Sequence, residues 1–153
     1  MKKIFLFLIL IQFFNFSIGQ NKTKFNVTFN HLALSVKDVN KSAEFYKSIL
    51  NLEEITNKTK KDGRKWLSLG GGKELHLISE QKEKITSSKA VHFAISTSNF
   101  DLFIQKLKSK HIIYSDWPGI INKINVRADG IKQIFFQDID GYWIEVNSVE
   151  FNK

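Results

Sequence analysis

The sequence predicts an α+β fold made of two βαβββ modules. The first observation is an internal repeat, because residues 30–36 (NHLALSV) and 91–97 (VHFAIST) are near copies with a histidine at the second position. The second is that each half ends in a glycine-led segment, residues 72–76 (GKELH) and 141–145 (GYWIE). Between these segments, strand and helix patterns follow the same order twice, which indicates a duplicated unit.

The first half reads as strand, helix, strand, strand, strand. Residues 31–36 alternate with the period of a strand. A helix capped by Asp38 follows, and its apolar residues recur at steps of four, three and four: Val39, Ala43, Tyr46 and Leu50. Three extended stretches, 52–59, 65–69 and 74–79, are separated by glycine-containing turns.

The second half repeats this order after a polar stretch, 81–90, which is the natural linker between the halves. Residues 91–97 form the predicted first strand. The predicted helix, 100–110, has four inward apolar residues: Phe100, Phe103, Ile104 and Leu107. The remaining predicted strands are 112–117, 133–138 and 142–148, and a longer loop containing Arg127 lies between the first and second of these.

The first nineteen residues have the pattern of a secretory signal peptide. Lys2 and Lys3 precede an almost wholly apolar run, and Ser17 and Gly19 are small residues at the positions that signal peptidase reads. The run is too short for a spanning helix. We therefore expect an exported protein, periplasmic or secreted, without a stable membrane anchor after cleavage. The expected divisions are 1–19 signal, 20–28 extension, 29–80 first module, 81–90 linker and 91–149 second module.

The composition excludes cysteine-bound metal sites and argues against nucleic-acid binding. The chain has no cysteine, so any metal must be bound by nitrogen and oxygen. The net charge is +8. Its lysines are scattered through every segment, whereas a nucleic-acid-binding protein more often shows a basic stripe with exposed aromatic residues. We expect no nucleic-acid partner.

Strand parity places four possible metal ligands on the strand faces that point away from the helices. Successive side chains of a strand point to opposite sides, so His31 lies opposite the helix-covering Leu32 and Leu34. By the same argument three further residues lie on the face away from the helices: His76, His92 and Glu145. A single histidine on a strand is usually an ordinary polar residue, but four groups at repeat-equivalent positions favour a mononuclear metal site.

Three segments carry a family resemblance. Residues 30–39 (NHLALSVKDV), 42–46 (SAEFY) and 138–146 (DIDGYWIEV) resemble the vicinal oxygen chelate superfamily, and the similarity extends over residues 29–148. The superfamily includes glyoxalase I, fosfomycin and bleomycin resistance proteins, and extradiol dioxygenases. The resemblance implies a glyoxalase-like curled mixed sheet around one metal cleft, with ligands from the first and last strands of each module. Those positions are held here by His31, His76, His92 and Glu145.

The donor set predicts the chemistry. Three imidazoles and one carboxylate suit a divalent zinc, nickel, cobalt or ferrous ion better than calcium or magnesium. Such an ion would act as a Lewis acid on a small vicinal-oxygen substrate, with Glu145 as the general base. The resemblance implies a lyase or isomerase of the glyoxalase type. His76 departs from that pattern, because glyoxalase I often has glutamate there.

Two other functions remain open from the sequence. One is a binding or transferase protein of the bleomycin or fosfomycin resistance type, and the other is a ring-cleavage dioxygenase, which would use a two-histidine, one-carboxylate iron site. We expect a homodimer, with the modules pairing either within a chain or across the dimer. Trp66, Trp143 and Arg127 are candidates for substrate binding. The alternatives are ordinary packing for the tryptophans and a solvated loop position for Arg127.

Overall fold

A computed structural model describes residues 25–150. The predicted signal peptide, 1–19, and the first part of the predicted extension lie outside the described residues. Within residues 25–150, no helix has the length and apolar character needed to cross a membrane.

Within residues 25–150, two helices and nine strands form the two modules. The elements are, in chain order, β1 (His31–Val36), α1 (Val39–Leu50), β2 (Glu54–Ile55), β3 (Arg64–Gly70), β4 (Lys73–Ser79), β5 (His92–Ser96), α2 (Phe100–Ser109), β6 (Tyr114–Ser115), β7 (Asn125–Val126), β8 (Lys132–Gln137) and β9 (Trp143–Asn147). The first module forms a sheet of order β1-β4-β3-β2, and the second a sheet of order β5-β9-β8-β6 with β7 paired to β8. The predicted α+β class is confirmed.

In both sheets the first and last strands of the module are parallel neighbours. β1 pairs with β4 and β5 pairs with β9, while the other pairings are antiparallel. Because a parallel connection needs a long crossover, the intervening helix and strands of each module make this pairing possible. The result brings the two candidate ligands of each module onto adjacent strands.

The predicted apolar faces form the core. Leu34 and Val36 of β1 are buried on one face, and Tyr46 of α1 and Leu107 of α2 are fully buried. Asp38 caps α1 as predicted, since its carboxylate accepts hydrogen bonds from the backbone N–H groups of Asn40 and Lys41. Buried apolar side chains of the two modules belong to one continuous core.

Two predicted strands are much shorter than expected. The stretch 52–59 contains only the two-residue β2, because the Asn57 side chain accepts hydrogen bonds from Thr59 and turns the chain. The stretch 112–117 contains only β6, because the Asp116 carboxylate accepts from the N–H groups of Gly119 and Ile120. The short strand β7, which the sequence analysis did not predict, lies in the loop before β8.

The turn between β8 and β9 joins the two modules. The Asp140 carboxylate accepts hydrogen bonds from the Lys37 N–H at 2.9 Å and from the Ser42 hydroxyl at 2.6 Å. The Asp138 carboxylate accepts from the hydroxyl of Tyr46 on α1. We call these contacts the module latch. The segment DIDG (residues 138–141) therefore forms a turn that also holds the start of α1.

Candidate metal centre

The structure arranges the four predicted ligands as two pairs with the same register. His31 lies opposite Glu74 in the β1–β4 pairing, and His76 is two residues further along β4. His92 lies opposite Trp143 in the β5–β9 pairing, and Glu145 is likewise two residues further along. We call His31 with His76 the first half-site and His92 with Glu145 the second half-site.

The first half-site is a stack of three rings. The His76 ring lies between those of Trp66 and His31, with centroid distances of 4.0 and 4.2 Å. The Nε2 atom of His76 lies 2.7 Å from a carboxylate oxygen of Glu74, which accepts a hydrogen bond from it. Because a ring nitrogen binds a metal in the plane of its ring, these nearly parallel imidazoles do not converge on one ion in this arrangement. His76 would bind a metal either through Nδ1, or through Nε2 once the hydrogen bond to Glu74 is broken.

The second half-site is built around a buried carboxylate. Glu145 is 8% exposed and accepts hydrogen bonds from the side-chain amides of Gln133 at 3.0 Å and Asn147 at 2.9 Å. The Nε2 atom of His92 lies 3.4 Å from the same Glu145 oxygen that Gln133 contacts. The two amides fix the orientation of the carboxylate beside the imidazole.

Two of the histidines present the same nitrogen for binding. Nδ1 of His92 donates to the backbone oxygen of Lys89 at 2.8 Å, and Nδ1 of His31 donates to the side-chain oxygen of Asn30 at 2.7 Å. In a neutral ring this leaves Nε2 with its lone pair, which is how metal-binding histidines are commonly fixed. In the second half-site that lone pair faces a carboxylate oxygen. Such a pair of acceptors is stabilised by a positive charge between them, so the second half-site fits a metal ion.

In the part of the chain that the structure describes, the two half-sites do not join into one site. Among residues 25–150, no three His, Cys, Asp or Glu side chains are grouped so that they could hold a metal ion. The four-ligand site therefore stays a prediction, and one chain supplies it as two separate pairs.

The candidate substrate-binding residues occupy different surroundings. Trp66 lies directly opposite His76 in the β3–β4 pairing, so it belongs to the first half-site. Trp143 precedes Glu145 by two residues on β9, and its indole N–H donates to the Ser87 oxygen at 3.2 Å. Arg127 lies in the turn between β7 and β8 and forms an ion pair with Asp129. The structure thus places the two tryptophans beside the half-sites and directs Arg127 to a neighbouring carboxylate.

A family model for the Glyoxalase/Bleomycin resistance protein/Dioxygenase superfamily matches residues 28–146. The chain belongs to this superfamily. The match spans both modules and all four predicted ligands.

The superfamily members that it resembles in sequence include metallothiol transferases. One, named metallothiol transferase FosB, from Staphylococcus epidermidis, is 30% identical over 126 residues, which cover 78% of this chain and 80% of that protein. A protein of the same name from Staphylococcus haemolyticus is 29% identical over 123 residues, covering 78% of this chain and 81% of its own.

Solved structures share the superfamily fold. Oxidase ChaP-H2 has a TM-score of 0.67 at 22% identity, covering 84% of this chain and 98% of its own. A lactoylglutathione lyase from Agrobacterium tumefaciens has a TM-score of 0.61 at 16% identity, covering 82% of this chain and 96% of its own. At identities below 25%, this likeness shows a shared fold only.

Three residues that contact the candidate ligands of this superfamily member were not predicted from its sequence: Glu74, Gln133 and Asn147. Asn147 shares a face with Glu145 by strand parity, so its position follows from the sequence but its role as a donor to Glu145 does not. Gln133 lies opposite Asn147 across the β8–β9 pairing, which depends on a register that the apolar pattern does not determine. Glu74 could have been found as the residue two before His76, on the same face of β4.

Proposed function

We propose that this protein is a divalent-metal-dependent enzyme that transfers a thiol to a small oxygen-bearing electrophile, with each metal site shared between two copies of the chain. The observation that carries the metal site is the equal placement of the two half-sites. In each, two ligand-capable side chains lie two positions out of register on neighbouring parallel strands.

A two-fold dimer would complete the site. In a two-fold interface each copy contacts the other through the same pair of surfaces. If the first half-site of one copy meets the second half-site of its partner, the same contact recurs on the other side of the axis. Such a dimer would contain two sites, each with His31 and His76 from one copy and His92 and Glu145 from the other. This arrangement explains why the described part of a single chain contains the ligands as separate pairs. The rings of His31 and His76 would have to turn out of their stack to bind the same ion.

The donor set suits zinc, nickel, cobalt or ferrous iron. When bound, the ion would supply Lewis acidity toward an oxygen of the substrate. The residues of the chain have the other roles: His31 and His92 present Nε2, and Glu145 is held at a fixed orientation by Gln133 and Asn147. Glu145 is also the best placed group to accept a proton from an incoming nucleophile.

The relatives named metallothiol transferases favour thiol transfer over other reactions of the superfamily. Because this chain has no cysteine, the thiol cannot come from the chain itself, and we propose a separate small molecule as its source. In the proposed reaction the thiol loses its proton, its sulfur forms a bond to the electrophilic carbon, and the carbon–oxygen bond of the substrate breaks. The released oxygen takes up a proton, so the product is a thioether that carries a hydroxyl group.

Lyase or isomerase chemistry of the glyoxalase type is the second candidate. The observation that favours it is the fixed carboxylate of Glu145, which could remove a proton from carbon next to a metal-bound oxygen. NMR of the product separates the two, because thiol transfer gives a thioether that carries a hydroxyl group, whereas glyoxalase-type rearrangement of a thiol adduct gives a thioester, and isomerisation without a thiol leaves the mass of the substrate unchanged.

We also propose that the protein is exported and cleaved after Gly19. The support is the positive start, the short apolar run and the small residues at 17 and 19. The mass of the protein recovered from cell fractions tests this, since cleavage predicts an N-terminus at Gln20 and retention of residues 1–19 would contradict it.

The metal site is tested by measuring bound metal after dialysis against zinc, nickel, cobalt and ferrous salts. The wild-type protein should retain one ion per chain, and His31→Ala and Glu145→Ala should lose it. His111→Ala is the control, because His111 follows α2 and lies outside both half-sites. Wild-type protein without metal, or variants that retain it, would overturn the proposal.

The reaction is tested by incubating the metal-loaded protein with a small epoxide and with glutathione or cysteine as the thiol. The absence of a thioether product would contradict thiol transfer.

A further inference from the structure

The residues before β1 form an apolar arm that the rest of the described chain leaves uncovered. In residues 25–30 apolar and polar side chains alternate, and Phe25, Val27 and Phe29 are 88%, 88% and 57% exposed. No turn or bend interrupts this segment. We call residues 25–30 the N-terminal arm.

The arm continues the edge of the first sheet. β1 is the outermost strand of that sheet, and the Asn30 oxygen just before it accepts a hydrogen bond from the Glu74 N–H at 3.2 Å. Phe25, Val27 and Phe29 have the parity of His31 rather than that of the core residues Leu32 and Leu34. In an arm that continues the extended conformation of β1, the apolar side would therefore face the same way as the candidate metal ligand.

An exposed apolar surface lies beside the second half-site. The Trp117 ring is in edge contact with the ring of His92, at a centroid distance of 6.2 Å, and Trp117 is 49% exposed. Ile120 and Ile121 follow in the same loop and are more exposed still. We call Trp117, Ile120 and Ile121 the Trp117 patch.

We propose that the N-terminal arm of one copy packs on the Trp117 patch of a second copy and forms one wall of the metal cleft. The inference rests on the proposed function, because it uses the meeting of His31 with His92 of the other chain. Ligands of one ion must lie side by side, so the residues just before His31 would run along the surface next to His92. That surface is the Trp117 patch, and the arm presents its apolar side to it.

Chemical cross-linking between singly substituted chains tests the contact. The chain has no cysteine, so introduced cysteines react without background. Val27→Cys protein is mixed with Ile121→Cys protein and treated with a short bis-maleimide, and peptide mass spectrometry measures the cross-link between positions 27 and 121. Thr28→Cys is the matched control, because it lies next to Val27 on the same exposed arm but has the opposite parity.

The expected result is a cross-link between 27 and 121 that forms several-fold faster than the one between 28 and 121. Equal rates for the two pairs, or no cross-link, would overturn the arm contact. Sedimentation and bound metal of the wild-type protein distinguish the failures. If the protein is a metal-loaded dimer without the cross-link, only the arm proposal fails. If it is monomeric without metal, the shared site fails as well.

Discussion

Glu145 is held by side chains that come from two neighbouring strands. Gln133 of β8 and Asn147 of β9 each donate an amide hydrogen bond to one of its two carboxylate oxygens. Neutral donors of this kind orient a metal-binding carboxylate without neutralising it, and removing such partners typically weakens metal binding about 10- to 100-fold. At the scale of single residues, the sequence predicts Glu145 as a ligand but does not predict the two side-chain amides that orient it.

Gln133→Met should therefore weaken metal binding by about 10- to 100-fold while leaving the fold intact. Methionine has a similar length but cannot donate to the Glu145 carboxylate. Competition with a chromogenic chelator measures the change in affinity, and Gln105→Met, on the exposed face of α2, is the control. An unchanged affinity in the Gln133 variant would show that Glu145 does not depend on this amide.

The helices and strands were predicted correctly where the spacing of apolar residues determines them. Both helices and the strands β3, β4, β5, β8 and β9 lie where the pattern placed them, within about one residue at most ends. The strands around β2 and β6 were predicted too long, because Asn57 and Asp116 bond to the backbone and turn the chain. Such side-chain-to-backbone bonds compete with strand pairing and leave no trace in the hydrophobic pattern.

The module latch ties α1 to the β8–β9 turn through Tyr46 and Asp138. Burial, followed by the Asp138 charge, raises the pKa of Tyr46 well above its ordinary value of 10.0. A tyrosine whose pKa is raised on folding contributes stability that is fully present below its unfolded pKa and is lost as the pH rises through the folded value. Wild-type stability should therefore fall above about pH 10.

Tyr46→Phe should lower the free energy of unfolding by about 1–3 kcal/mol at pH 7, because it leaves the buried Asp138 carboxylate with one donor fewer. The same variant should show a smaller loss of stability above pH 10, since the titrating hydroxyl is gone. Urea unfolding at both pH values measures the two effects. Equal alkaline losses in the variant and the wild type would contradict this role of Tyr46.

At the scale of the whole molecule, duplication explains both the fold and the site. The repeat predicted two modules with equivalent ligand positions, and the structure gives the two half-sites the same register. The sequence could not show how the half-sites meet, because a repeat fixes the positions within each module and not the placement of one module against another. The pairs found in residues 25–150 lead to the central claim that the site forms between two chains.

Mixing two variants that each bind no metal tests that claim most directly. His31→Ala and Glu145→Ala protein should each bind no metal alone. In a mixed dimer with shared sites, one site carries both substitutions and the other carries neither. After the subunits exchange, half of the dimers are mixed, so metal binding should return to about one quarter of the wild-type capacity. If each site instead formed within a single chain, every chain would carry a defect, and the absence of any recovery after confirmed subunit exchange would contradict the account.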